Sequence, residues 1–354
     1  MRRVAQLWLL TVVGFGTVCL LLVPPSRVGL GVQGGGRPGT AGRVLKLEEL
    51  SYPDIDQIDR AKSIFFLTFG NLEEHGPHLP VGSDYFVATA LRDAMIARLR
   101  ALHPDYDFVL VPVVPLGEGG ANDVAMEFDH IGTFAVRFET LRDVAIDLGS
   151  SIARKGFRNI FVVHSHGSPL HNIALSQAAA LVSQRYKTRM VNITSLVYGG
   201  GIYSPKVMDK YLGRDRAEKS SFYIHAGAAE TSLDLYVRGD AVKPSYRLLP
   251  SYMAKDERKF WRDEATNGWQ GYWGDPARAS QALGEELLDD LAARATAIAE
   301  KALAGEDLSR LPSYLESLPA RRQLQAPVER LEENYARQKA EIEEWLRSWQ
   351  SVKR

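Results

Sequence analysis

The sequence predicts an α/β fold: a three-layer sandwich with helices on both faces of a mostly parallel central sheet, followed by a C-terminal helical extension. Two observations predict it. Short apolar runs alternate with longer amphipathic segments from Ser63 to Leu196, as strands joined by crossover helices require. Clusters of polar, chemistry-bearing residues fall directly after predicted strands, where the ligand sites of such sheets gather.

The short apolar runs are Ser63 to Phe69, Phe108 to Val114, Ile160 to Val163 and Met190 to Leu196. Between them lie the longer segments Tyr85 to Leu102, Phe138 to Lys155 and Ile173 to Tyr186. After Pro250 the composition becomes charged and helix-favouring, and Gln281 to Leu303 forms one long helix. Pro312 and Pro319 break the next stretch. From Pro327 to Trp349, the residues Leu331, Tyr335, Ile342, Trp345, Leu346 and Trp349 recur near one face at helical spacing. This predicts an amphipathic helix packed on its own domain rather than one that awaits a partner. No internal repeat is present.

At the N-terminus, Arg2 and Arg3 precede an uncharged apolar run from Leu7 to Val23 that ends at Pro24-Pro25. Residues 1–25 are therefore expected to be a signal anchor or signal peptide, which places the protein at a membrane or on its extracytoplasmic, periplasmic side. Residues 26–44, rich in glycine, form a flexible linker. The catalytic domain is expected over 45–305, and the helical extension over 306–354.

Composition narrows the function. Lys plus Arg and Asp plus Glu are equal at 43 each, so no field of one sign exists to hold a phosphate backbone, and nucleic acid is not an expected partner. The single cysteine, Cys19, lies inside the N-terminal apolar run. Neither a disulfide framework nor a thiolate metal site is possible, and any metal must be held by His, Asp and Glu.

Three clusters supply such groups. The first, after the Ser63 to Phe69 run, is Glu73-Glu74-His75-Gly76-Pro77-His78-Leu79-Pro80-Val81-Gly82-Ser83-Asp84. Glu73 and His75 are two apart, a spacing that in extended backbone points both side chains the same way. The second, His164-Ser165-His166-Gly167-Ser168, closes an apolar strand and opens a helix. Two histidines beyond the end of a parallel strand are better explained as ligands than as satisfied core residues. The third, His225-Ala226-Gly227-Ala228-Ala229-Glu230-Thr231-Ser232, frames one imidazole and one carboxylate with small residues that leave room for a substrate.

Taken in order, these motifs resemble the creatininase family of metal-dependent amidohydrolases. The family pattern Glu-x-His-Gly-x-His-Leu-Pro followed by Asp is similar to Glu73 to Asp84, and His-Ala-Gly-x-x-Glu-Thr-Ser is present at His225 to Ser232. Asp129-His130-Ile131-Gly132-Thr133, His166-Gly167 and Gly274-Asp275-Pro276 with Gly284 resemble further family elements. The resemblance implies metal ligands at Glu73, His75, Asp84 as the bridging aspartate, His166 and Glu230, with His225 as the catalytic histidine. His164, His130 and Ser168 are expected to line the substrate pocket. Two divalent ions, of Zn, Mn or Fe, are implied as cofactors, with a small-molecule amide as substrate and a homo-oligomer as the assembly. The chain departs from the family at Ser168, where creatininase has a metal-binding Glu, and at Ile224, where an acid often precedes the catalytic histidine. Both departures point away from creatinine. The expected activity is therefore metal-dependent hydrolysis of some other cyclic or linear amide C–N bond, including that of an exported peptide. The alternative is a membrane-tethered binding or scaffold protein that keeps the fold without turnover.

Overall fold

Five strands, β1 (Val44–Lys46), β2 (Ser63–Thr68), β3 (Asp107–Leu110), β4 (Asn159–Val163) and β5 (Arg189–Asn192), form one sheet in the order β1-β3-β2-β4-β5. Every neighbouring pair is parallel. A computed structural model describes residues 42–119, 131–221, 224–264, 269–312 and 325–352, all of which fall within one unit, Gln33–Arg354.

The sheet is covered because its sequence leaves it no wet face. All six residues of β2 are buried. Ile64 and Phe66 enter one core, and Phe65, Leu67 and Phe69 enter the other, as the two-residue period of a strand demands. The first core is closed by α2 (Ser83–Leu102), α5 (Ile193–Gly199), α6 (Pro205–Leu212), α7 (Ala228–Arg238) and α9 (Gln281–Leu303), the second by α3 (Phe138–Ala153) and α4 (Pro169–Tyr186). Each fully buried Phe or Ile contributes about 1.5–3 kcal/mol relative to exposure, so both helical layers are tied to the same strand. This is the three-layer sandwich that the alternation predicted. Helix α1 (Tyr52–Asp56) packs Ile55 against the second core, α8 (Glu257–Glu264) places Phe260 in a separate cluster with Ala254 and Trp273, and α10 (Gln325–Val352) follows them in the chain.

Three features place the site. β2 pairs with β4 in the register Phe66↔Phe161 and Thr68↔Val163, so the two strands end side by side and release Glu73 and His166 at the same edge. α2 begins there too, which puts Asp84 in its first turn. Gly284 lets α9 approach α7: a Cβ at this position would lie 1.8 Å from the Ser232 carbonyl oxygen, so only glycine fits, and the first turn of α7 with Glu230 is held down on the sheet.

Two sequence expectations are revised. The apolar run from Met190 to Leu196 is not one strand. β5 stops at Asn192, whose side chain accepts from the Ser195 N–H at 3.3 Å and caps α5. The C-terminal helix forms, yet its apolar stripe does not pack along its length. Asn334 and Tyr335 are buried, whereas Ile342, Trp345, Leu346 and Trp349 are 41–58% exposed. The stripe is longer than the surface available to receive it. No helix among the described residues is long and apolar enough to cross a membrane; Leu7 to Val23 and the linker to residue 41 lie outside those residues.

Candidate metal centre

The loop after β2 is fastened by the Glu73 N–H donating to the Val81 carbonyl at 2.9 Å and by the Ser83 N–H donating to Pro80 at 3.1 Å. It turns Glu73 inward until the side chain is 1% exposed. His166, leaving β4, sets its Nδ1 2.9 Å from Glu73 Oε2 and 3.1 Å from Asp84 Oδ2. Its Nε2–H donates to the Glu118 carbonyl at 3.1 Å. His75 donates from Nδ1 to the Glu73 carbonyl at 3.0 Å, which leaves its Nε2 free to face the site. His225 is pinned by paired backbone bonds with Trp273, both 2.8 Å, and donates from Nε2 to the Glu74 carbonyl at 2.7 Å. Its Nδ1 then lies 3.9 Å from Glu73 Oε1 and 4.0 Å from Glu230 Oε2. Ala226, next in the chain, takes a left-handed φ of 51°, a conformation that non-glycine residues adopt at a cost.

Among the described residues two groups of donors result: Glu73, Asp84 and His166, and Glu73, His75 and His225, with the donor atoms of each lying within 4.8 Å of one another. Glu73 is common to both groups, and Asp84, expected from the resemblance to bridge, stands in the first. Each of the three imidazoles gives one N–H to a backbone carbonyl, an arrangement that fixes tautomer and ring orientation and is common around bound metals.

The electrostatics fit cations. Burial works against charge on Glu73, but the nearby imidazoles outweigh it and keep the carboxyl below its ordinary range. Burial likewise opposes protonation of His75, yet Glu73, Asp84 and Glu230 push it up to about 9, and Glu73 and Asp84 raise His166 well above its ordinary value. Without a cation, the carboxylates thus draw protons onto buried rings. An oxygen and imidazole donor set without sulfur suits zinc, manganese or iron. Two groups behave differently. Burial and the neighbouring His75 lower His225 to about 4, so its ring is neutral. Burial raises Glu230 to about 7.

A cavity of about 300 Å³ opens over these groups. Glu73, His75, Asp84, His166, His225 and Glu230 line it together with Ile202, Tyr203, Met208 and Ile224. Of the residues expected to touch substrate, His164 and Ser168 are not among those lining this cavity. His164 is fully buried with its ring against those of His171 and Tyr198, away from the cavity wall. Ser168 is also off the wall, its Oγ donating to Glu118 Oε2 at 2.8 Å. His130 lies outside the described residues. His78, whose Nε2–H donates to Thr231 Oγ1 at 2.8 Å, is a packing residue that braces α7.

Sequence reasoning missed Glu118 and Asn71. Asn71 Nδ2 donates to the Gly119 carbonyl at 3.0 Å and approaches Glu73 Oε2 at 3.5 Å. Glu118 stands beyond the carboxyl end of β3, so the strand-end rule that found Glu73 and His166 applies to it as well.

The family model for creatininase, described as creatinine amidohydrolase, matches residues 48–299. Among curated proteins, the chain is 26% identical over 248 residues to the mycofactocin precursor peptide peptidase of Mycobacterium tuberculosis (strain CDC 1551 / Oshkosh), a match covering 69% of this chain and 88% of the relative. The peptidase of the same name from Mycobacterium ulcerans (strain Agy99) is 26% identical over 258 residues, covering 71% and 92%. Among solved structures, creatinine amidohydrolase superposes with a TM-score of 0.55 at 18% identity, over 73% of this chain and 97% of that one. A manganese form and a mutant Zn–Zn form of creatininase each give 0.55 at 19% identity, over 73% and 99%. These structural likenesses establish the fold.

Proposed function

The chain belongs to the creatininase family, whose members are hydrolases of C–N amide bonds, and on that premise we propose that it hydrolyses a linear, peptide-type amide with two divalent ions. The observation that carries this reading is the pair of donor groups sharing Glu73 on the floor of the cavity. Bound there, such ions polarise a carbonyl and lower the pKa of water.

The chain's own residues supply the rest. Glu73, Asp84 and His166 would hold one ion, and His75, Glu73 and Glu230 would hold the other. His225 carries the proton: with Nε2–H committed to Glu74, only Nδ1 can take one from the attacking water and return it to the leaving nitrogen. Burial and His75 lower the ring to about 4, so Nδ1 is unprotonated at neutral pH. A second reading exchanges two roles, because His225 Nδ1 also stands within donor distance of Glu73 and His75. In it His225 is a ligand, and Glu230, poised near 7, moves the proton.

Ile202, Met208 and Ile224 give the cavity an apolar wall, which suits an apolar side chain of a substrate. The curated relatives are peptidases by name, which favours a peptide bond over creatinine. A non-catalytic scaffold has no use for six converging ionisable groups. We further propose that Leu7 to Val23 holds the domain at a membrane or exports it, and that the chain forms a homo-oligomer, to be read from its mass in solution. The activity is tested by loading the full chain with zinc, manganese or iron(II) and screening linear peptides, lactams and formamides. Cleavage of peptides alone supports the reading, and turnover confined to cyclic amides contradicts it.

A further inference from the structure

We infer that the C-terminal helix takes part in positioning the metal centre, through Tyr335 and Glu118. The inference rests on the reading of Glu73, Asp84 and His166 as metal donors.

Glu118 is 1% exposed and all of its polar groups are engaged. Oε1 accepts from the Tyr335 hydroxyl at 2.8 Å, and Oε2 accepts from Ser168 Oγ at 2.8 Å. Its N–H donates to His171 Nδ1 at 3.3 Å, and its carbonyl accepts the His166 Nε2–H at 3.1 Å. The carbonyl links this residue to the metal site. A backbone acceptor on the outer nitrogen of a ligand imidazole fixes the ring and makes the opposite nitrogen more basic; here that nitrogen is Nδ1, facing Glu73 and Asp84. Two hydroxyls clamp the carboxylate, so the peptide that offers the carbonyl cannot turn away.

One of those hydroxyls comes from 217 residues further along the chain, on a helix beyond residue 299, where the family match ends. Among the described side chains of α10, Asn334 and Tyr335 alone are buried, and Tyr335 packs with Leu170 beside Phe138 and Ile173. Among its described side chains, the helix is therefore seated at the point where it reaches Glu118. Tyr335 is a positioning residue, acting on His166 through Glu118.

The test titrates zinc into metal-stripped full-length parent, Tyr335→Phe and Ser168→Ala proteins against a chelating dye. In the same samples, labelled with ¹⁵N-histidine, it follows solvent exchange of the His166 Nε2–H. Tyr335→Phe keeps the ring packing and removes only the hydroxyl. It should weaken one zinc-binding step about ten-fold, the low end of the range for outer-sphere partners, leave the other step unchanged, and speed exchange at His166. Ser168→Ala should weaken the same step. Unchanged affinities and exchange in both variants overturn the inference, and if Tyr335→Phe does not fold, Ser168→Ala decides alone. Should the parent bind no zinc, the metal-centre reading fails, and exchange at His166 still tests the Tyr335 linkage by itself.

Discussion

His225 gives its Nε2–H to the Glu74 carbonyl at 2.7 Å, which leaves Nδ1 as the one ring atom able to serve the reaction. If it carries the proton, His225→Ala retains both metal ions and loses roughly two to four orders of magnitude in turnover, the usual contribution of a positioned acid or base. If it is a ligand, the same variant loses metal, and Glu230→Gln becomes the one that keeps metal and loses turnover. Metal content and kcat measured on the two variants separate the readings.

His78 yields a prediction about pH. Burial, together with the nearby His75 and His225, lowers it to about 4, while in the unfolded chain it titrates near 6.5. Between those values the unfolded chain binds the extra proton, so stability falls as pH falls, by up to about 1.4 kcal/mol per pH unit. His78→Gln keeps a donor toward Thr231 and removes the titration. Its unfolding free energy should fall less than the parent's between pH 6.5 and 4, and parallel curves would remove His78 from the account.

Gly284→Ala places a methyl where the Ser232 carbonyl oxygen is 1.8 Å away. Backbone cannot yield as a flexible side chain does, so α9 must shift off α7, at a cost of about 1–3 kcal/mol by analogy with overpacked cores. The denaturation midpoint should drop with the m-value unchanged. An unaltered midpoint would mean that the two helices separate freely.

The proposed attachment predicts that the full chain sediments with membranes or is recovered outside the cytoplasm. Removal of residues 1–41 should release a folded domain. Recovery of the full chain in the cytosolic fraction contradicts the anchor.

Much of this was legible in the sequence, because period and punctuation set strands and helices locally, and strand ends set where Glu73 and His166 emerge. What was hidden depends on distant pairing. Nothing near Tyr335 announces a bond to Glu118. Nothing in His164-Ser165-His166 tells which of the two histidines faces the cavity and which packs its ring against His171 and Tyr198. Periodicity shows that α10 has an apolar face but not how far the domain beneath it extends. The carboxylate shared by the two donor groups depends on the relative depth of Glu73 and Asp84, which only the tertiary arrangement fixes.

Glu73 stands in both donor groups and Asp84 in one. Metal-to-protein ratios of the parent, Asp84→Asn and Glu73→Gln, determined on folded samples at equal free zinc, test this directly. Two ions in the parent, one in Asp84→Asn and none in Glu73→Gln is the predicted result; a Glu73→Gln protein that binds two ions as the parent does would contradict it.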